Sequence, residues 1–440
     1  MKKIIALICI LGSFLSHAQD DNSKPVTIDS LKQITDEHKM KFADLDEKIA
    51  SMDSDLSKLS KIKISGYLQT QYDMYDFQDY KSPVSGSSSA SPITNTFYLR
   101  RARLKFTYET AQGIKFVLQP DFAFDKVSIK DAYVVLNDNW FNTFALTVGQ
   151  FNRLSYDVEF SSGSREFLER ARITSTLYPN ERDLGAKLEA NFDTKYEFPL
   201  KFQLAFFNGN FGAGAIANQV RDIDSNKDVM ARLVYAIKMP NQGLGIDIGG
   251  HAYFGSTKIL PVAVTNPVTP AVVFLDINNN SFTPNVGDTL KKDWFGVETQ
   301  IYYDFLGGTS LKAEYITGTL SGTTNAAQTY SAFGANKVRE FNGFYTSFMK
   351  NIGKSNQAVF RYDMYDPNTK LSGNDVIKAD DLKYSTYTFG WQYFYDENLK
   401  VVLGYTMPLN EKSDLVGGDY LSANDDKKDS TFSIRLQAKF

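Results

Sequence analysis

From Lys61 to the C-terminus, apolar and polar residues alternate with a period of two. In TFYLRRARLKFTYET, Ala102, Leu104, Phe106 and Tyr108 fall on one side of an extended chain, and Arg101, Arg103 and Lys105 on the other. The last ten residues, TFSIRLQAKF, repeat the rule: Phe432, Ile434, Leu436, Ala438 and Phe440 alternate with Ser433, Arg435, Gln437 and Lys439. In a soluble sandwich such a terminal strand would be an edge needing protection. Lipid on its apolar face and closure against the first strand remove that difficulty. Followed along the chain, the alternation predicts about 16 strands, an even number of the kind single-chain barrels use. They fall near 62-76, 96-109, 114-124, 128-137, 143-151, 183-192, 200-208, 228-238, 244-255, 293-304, 310-317, 341-351, 357-366, 384-394, 399-407 and 430-440. The expected fold class is all-β: a closed antiparallel transmembrane β-barrel.

The connections separate the membrane reading from a soluble one. Alternate links are short, as at Ala111-Gln112-Gly113, Gly353-Lys354-Ser355 and Asp396-Glu397-Asn398, whereas the intervening ones (152-182, 209-227, 256-292, 318-340, 367-383, 408-429) are mostly long and polar. Short turns at one end and long loops at the other are the outer-membrane arrangement, with the turns and both termini toward the periplasm.

Residues 19-60 follow another period. Leu31, Thr35, His38, Phe42, Leu45, Ile49, Met52, Leu56 and Leu59 recur at 4-3 spacing, one narrow stripe that predicts a short periplasmic coiled-coil helix burying its seam against copies of itself. Ahead of it, MKKIIALICILGSFLSHAQD carries Lys2 and Lys3, an apolar run and the small-residue site Ser16-His17-Ala18, which predicts a signal peptide over 1-18 cut after Ala18. The expected organisation is thus signal peptide 1-18, coiled-coil segment 19-60 and barrel 61-440, in a Gram-negative type of cell outer membrane.

Composition narrows the chemistry. Cys9, the sole cysteine, lies in the signal, so the mature chain has no thiol for a disulfide, thiolate metal site or cysteine nucleophile. Loss of Lys2 and Lys3 takes the formal charge from -3 to -5, with no basic field for nucleic acid. The three histidines, His17, His38 and His251, leave at most one for catalysis, and no GxSxG, HExxH or GxxxxGK[ST] word accompanies it. The expectation is no enzyme and no cofactor, with His251 a polar residue of the lumen wall.

Three stretches carry a resemblance. FYLRRARLKFTYET with IKFVLQPDFAF and IKDAYVVL, then LTVGQFNRLSYDVEFSSGSREFLERARI, then ERDLGAKLEA with LAFFNGN, resemble in order and spacing the phosphate-selective porin O and P family. The resemblance covers the barrel in architecture and residues 97 to 210 in motif. It implies a trimeric outer-membrane pore narrowed by the third long loop, here Asn152 to Arg182, through which anions pass along basic side chains. A proline often follows the GQF word in that family, and this chain has Asn152-Arg153-Leu154 instead.

Together the alternation and the implied loop propose pore-lining, anion-binding residues. Arg101, Arg103, Lys105 and Lys115 belong to the inward parity, and Arg153, Arg165, Arg170 and Arg172 to the loop. Guanidinium groups bind phosphate and carboxylate bidentately. Acids are plentiful in the same stretch. Asp121 and Asp131 are expected to bridge to Arg101 and Arg103, and Glu166 or Glu169 to Arg170 or Arg172. Tyr387, Phe389, Trp391 and Tyr393 share a parity and read as lipid-facing girdle. The function expected is passive diffusion of small anions, with phosphate the first candidate, as a homotrimer in the lipid bilayer of the outer membrane. A general or other-solute porin, and a structural barrel without transport, are the alternatives.

Overall fold

The computed structural model describes residues 61-77, 94-110, 112-123, 127-159, 162-179, 181-209, 225-259, 273-322, 336-376, 381-413 and 429-440, together with residues 41, 45, 46, 48, 49 and 52. The chain forms two compact units, 1-61 and 62-440. In the first, the six described residues from Lys41 to Met52 are helical, and Leu45, Ile49 and Met52 are exposed. The signal peptide and the rest of the heptad stripe lie outside the described residues.

The second unit is a barrel. Its strands are β1 (Ile62–Phe77), β2 (Asn95–Glu109), β3 (Ile114–Asp121), β4 (Ser128–Asn137), β5 (Phe144–Asn152), β6 (Arg182–Asn191), β7 (Leu200–Phe207), β8 (Asp228–Met239) and β9 (Leu244–Lys258). After a short pair, β10 (Phe274–Leu275) and β11 (Ser281–Phe282), come β12 (Thr289–Tyr303), β13 (Thr309–Gly322), β14 (Lys337–Ile352), β15 (Asn356–Asp366), β16 (Tyr384–Phe394), β17 (Leu399–Asn410) and β18 (Asp429–Lys439). The sixteen long strands match the alternation in number and place. Each pairs antiparallel with its neighbour, and β1 pairs with both β2 and β18, so the sheet closes. The pair β10–β11 falls in a loop where no strand was expected; Leu275 bridges in parallel to Lys337 of β14.

The faces divide as the pleat requires. Phe116, Leu118, Phe295, Val297, Phe389, Trp391, Ile434 and Leu436 are exposed on the outer wall, while Thr386, Thr388, Gln392, Ser433, Arg435 and Gln437 are buried on the inner one. Trp140, Phe141, Tyr196, Phe198, Phe305 and Tyr395 form an exposed aromatic collar at the short-turn end, the girdle position of an outer-membrane barrel. The tightest turns use the left-handed conformation that glycine adopts without steric cost, at Gly113 (φ 77°) and Gly353 (φ 63°).

Candidate functional site

The loop between β5 and β6 folds into the lumen. It carries two short helices, α1 (Tyr156–Glu159) and α2 (Arg172–Leu177), whose apolar side chains cannot stay in water. Leu154, Tyr156, Val158, Ile173, Leu177 and Tyr178 form one buried cluster with Phe207, Met230, Tyr253, Trp294, Leu320, Phe341 and Tyr365 of the wall. Trp294 stacks on Tyr253 at 4.0 Å between ring centroids and donates its indole N–H to the Tyr178 hydroxyl at 3.0 Å. The β7–β15 side of the lumen is therefore filled.

The other stretch of the loop is held by its backbone. Gln69 donates to the Ser162 carbonyl (2.9 Å), Gln437 to Gly163 (2.8 Å), Lys400 to Arg165 (3.1 Å) and Gln392 to Glu166 (2.9 Å). Arg435 donates to Leu168 (2.8 Å) and Arg361 to Glu169 (2.8 Å). Side chains of β1 and β15–β18 thus satisfy carbonyls that a buried loop cannot pair within itself.

Where this stretch meets β2 and β6, guanidiniums gather. Glu181 binds Arg170 (2.8 Å), Arg182 (2.8 Å) and Arg165 (3.3 Å), and Glu169 binds Arg100 (2.9 Å) and Arg435 (3.0 Å). Arg103 pairs with Asp121 (2.7 Å), Arg182 also with Asp131 (2.6 Å), and Arg170 lies 3.9 Å from Asp157. Among the described residues Arg101 makes no ion pair within 4 Å; it donates to the neutral Gln69 Oε1 at 3.1 Å and reaches Glu169 only at longer range. Among the described residues, seven guanidiniums (Arg100, Arg101, Arg103, Arg165, Arg170, Arg182, Arg435) therefore gather around five carboxylates. Burial works against ionising Glu181, but Arg170, Arg165 and Arg182 outweigh it and hold its carboxyl well below the ordinary range. Burial of Glu169 is outweighed in the same way by Arg100, Arg101 and Arg435.

Cavities lie on both sides of this cluster. One of about 780 Å³ opens toward the short-turn end, with Lys105, Lys115, Arg182, Lys187 and Lys201 among its lining residues. Another of about 360 Å³ lies toward the long loops, bordered by Arg100, Arg170, Arg172 and Arg361 and by hydroxyls of Thr386, Thr388, Thr431 and Ser433.

The candidate residues thus occupy different places. Arg101, Arg103, Arg165 and Arg170 come together in the cluster, and Lys105 and Lys115 line the larger cavity. Arg101, Arg103 and Arg165 line neither cavity, and nor does Arg153. Its side chain is fully buried against Asp183 at 2.8 Å, where it braces the start of the loop. Arg172 lies over the Tyr384 ring at 3.8 Å and borders the smaller cavity.

The expected acid partners also change. Asp131 takes Arg182 rather than Arg101 or Arg103, Glu166 takes Lys312, and Glu169 takes Arg100 and Arg435. The reason is reach: the loop crosses to the far wall, so its acids meet bases distant in sequence. Strict alternation also missed Arg100. The register of β1 against β2 shifts between Gln69 and Thr70, where Gln69 faces Arg101 and Thr70 faces Leu99. The extra residue, Arg100, turns inward beside Arg101.

Comparison with known proteins agrees with this geometry. No curated protein sequence matches the chain significantly. Among solved structures, Pseudomonas putida OprB superposes with a TM-score of 0.56 at 11% identity, covering 88% of this chain and 96% of that one. An anion-selective porin from Comamonas acidovorans gives 0.51 at 11% identity (86% and 99%), and the trimer form of the Vibrio cholerae outer membrane protein OmpT 0.50 at 12% (86% and 99%). At these identities the likeness concerns the fold alone, a porin barrel. The family model for phosphate-selective porin O and P matches residues 67–440, and with the closed barrel and its infolded loop this shows that the chain belongs to that family of outer-membrane porins.

Proposed function

We propose that this porin passes small anions by passive diffusion, with phosphate the first candidate, and that the arginine cluster is its filter. The observation that carries the reading is the imbalance, among the described residues, of seven guanidiniums over five carboxylates, with Arg101 hydrogen-bonded to an amide and in no close ion pair. Rings of charge at a constriction set the selectivity of a water-filled pore. A guanidinium that lacks a carboxylate can exchange a neutral acceptor for a passing oxyanion, whereas a saturated pair only braces the wall. Arg100 and Arg170, which border the smaller cavity, receive the anion, and Arg101, which borders neither cavity, adds its charge from within the cluster; Lys105 and Lys115 raise the local anion concentration in the larger cavity.

The test is single-channel conductance in a planar bilayer under a chloride gradient, with phosphate added, comparing wild type with Arg101→Gln. Discrete openings that prefer anions, are blocked by phosphate and lose preference in the variant are expected. Openings without anion preference would make the protein a general porin, and an inserted barrel that never conducts would leave a structural role.

We further propose export by cleavage after Ala18 and assembly as a homotrimer helped by the heptad-patterned segment 19-60. The exposure of Leu45, Ile49 and Met52 on the expected seam supports the assembly. Mass spectrometry of the mature N-terminus checks the cleavage site. Cross-linking with and without residues 20-60 checks the assembly; an unchanged oligomer would remove the segment from it.

A further inference from the structure

On the lumen wall opposite the arginine cluster, the strand register sets a row of polar groups with a different balance. Arg232 of β8 lies beside His251 of β9, Glu298 of β12 directly opposite Glu314 of β13, and Glu314 beside Tyr345 of β14. Two buried carboxylates in a directly opposed cross-strand pair repel, and either a shared proton or a compensating cation relieves them. Arg232 supplies part of that relief, at 2.5 Å from Glu298, but it is shared with Glu159 at 2.6 Å. Glu314 receives neutral donors, the Ser155 hydroxyl at 3.0 Å and the Tyr345 hydroxyl at 2.9 Å.

His251 completes the arrangement. Its side chain has no exposed surface, its Nδ1 stands 3.6 Å from Glu314 Oε1, beyond hydrogen-bonding distance, and neither ring nitrogen has a hydrogen-bond partner among the described residues. An imidazole held dry with both nitrogens unused is costly unless something binds it. Space for the ring is made by Gly296, its cross-strand partner: a Cβ there would stand 2.2 Å from the His251 Cε1. One ligand atom each from His251, Glu298 and Glu314 lie within 4.8 Å of one another.

We propose that His251, Glu298 and Glu314 bind one divalent transition-metal ion of the zinc class. One imidazole and two carboxylates form a borderline donor set that suits zinc better than magnesium or calcium, which prefer all-oxygen shells. Closing the three atoms to zinc–ligand distances of about 2.0–2.2 Å takes side-chain adjustments of roughly 1 Å. Each carboxylate oxygen keeps a second lone pair, so Arg232, Ser155 and Tyr345 remain as outer partners that orient the ligands. The ion would balance the excess acid charge and, through Ser155, tie the constriction loop to the wall. The site is independent of the anion reading, since it uses none of the clustered arginines.

The experiment uses the full mature chain, refolded in detergent with zinc or magnesium present and then dialysed. Bound metal is counted by atomic emission and its shell read by zinc K-edge absorption. One retained zinc per chain, no retained magnesium and an imidazole-plus-oxygen shell are the expected result. Loss of the zinc is expected in His251→Gln and Glu314→Gln, and also in Gly296→Ala, which keeps every ligand but crowds the ring. No stoichiometric zinc in wild type, a shell without imidazole, or equal zinc in His251→Gln overturns the proposal. Should a variant fail to fold, the wild-type spectrum decides alone.

Discussion

The two sides of the lumen hold the same loop by opposite chemistry. On the β7–β15 side it is anchored by apolar packing around Trp294 and Tyr178, which is non-directional and excludes water. On the side of β1, β2 and β16–β18 it is anchored by amides and guanidiniums bonded to its carbonyls. The first chemistry can fix position but cannot attract a solute ion. The second can do both, provided that some cations remain short of carboxylates.

The largest effect should come from the packed side. Trp294→Ala removes a fully buried indole and the partner of the Tyr178 hydroxyl, a loss of about 3–5 kcal/mol by large-to-small precedent. A lower denaturant midpoint and a larger single-channel conductance are expected as the loop loosens; unchanged conductance would mean that the polar side alone holds it.

Glu181→Gln should come next. It leaves Arg165 without its carboxylate and weakens the hold on Arg170 and Arg182, at about 3 kcal/mol for breaking a buried pair. Thermal stability should fall while anion preference rises. A variant with lower stability and unaltered selectivity would show that these arginines only brace the wall.

Arg101→Gln should cost little stability but reduce anion preference. A unit charge about 4 Å from a passing ion is worth about 1 kcal/mol under water-like screening, or roughly fivefold in the permeability ratio. Reversal potentials would read this directly.

Acid pH offers a reversible form of the Glu181 experiment. Because its folded-state carboxyl is depressed, its contribution to stability is present above the unfolded value of about 4.3 and is lost only as pH falls through the lower folded one. Selectivity should therefore hold steady from neutral pH to about 4.3 and turn more anionic only below it. A change centred near pH 6 would point to some other group.

The smallest effect should be that of Lys115→Ala at the wide cavity. Conductance to anions should drop by less than about twofold at low salt and recover at 1 M, where the screening length is about 3 Å. An effect that survives high salt would move the filter from the arginine cluster to the vestibule.

Much of the architecture was legible along the chain, because a strand's pleat converts period-two alternation directly into an inner and an outer face. Tyr387, Phe389, Trp391 and Tyr393 could be assigned to lipid on that ground alone, and Phe389, Trp391 and Tyr393 are exposed as expected. The site was legible only in outline. Arg103 with Asp121 follows from cross-strand neighbours, whereas Arg435 with Glu169 joins groups 266 residues apart and has no local signal.

What the sequence by itself determined is the barrel: strand number, inward and outward parity, short turns against long loops, and family. These are local properties, repeated sixteen times and enforced by the same contrast between lipid and water. Only the tertiary structure decided which basic residues remain available to a solute. The bulge turned Arg100 inward, the loop's crossing gave Glu181 three guanidiniums, and burial retired Arg153 against Asp183. Ion pairing depends on distances of a few ångströms between segments far apart in the chain, and no periodicity encodes them.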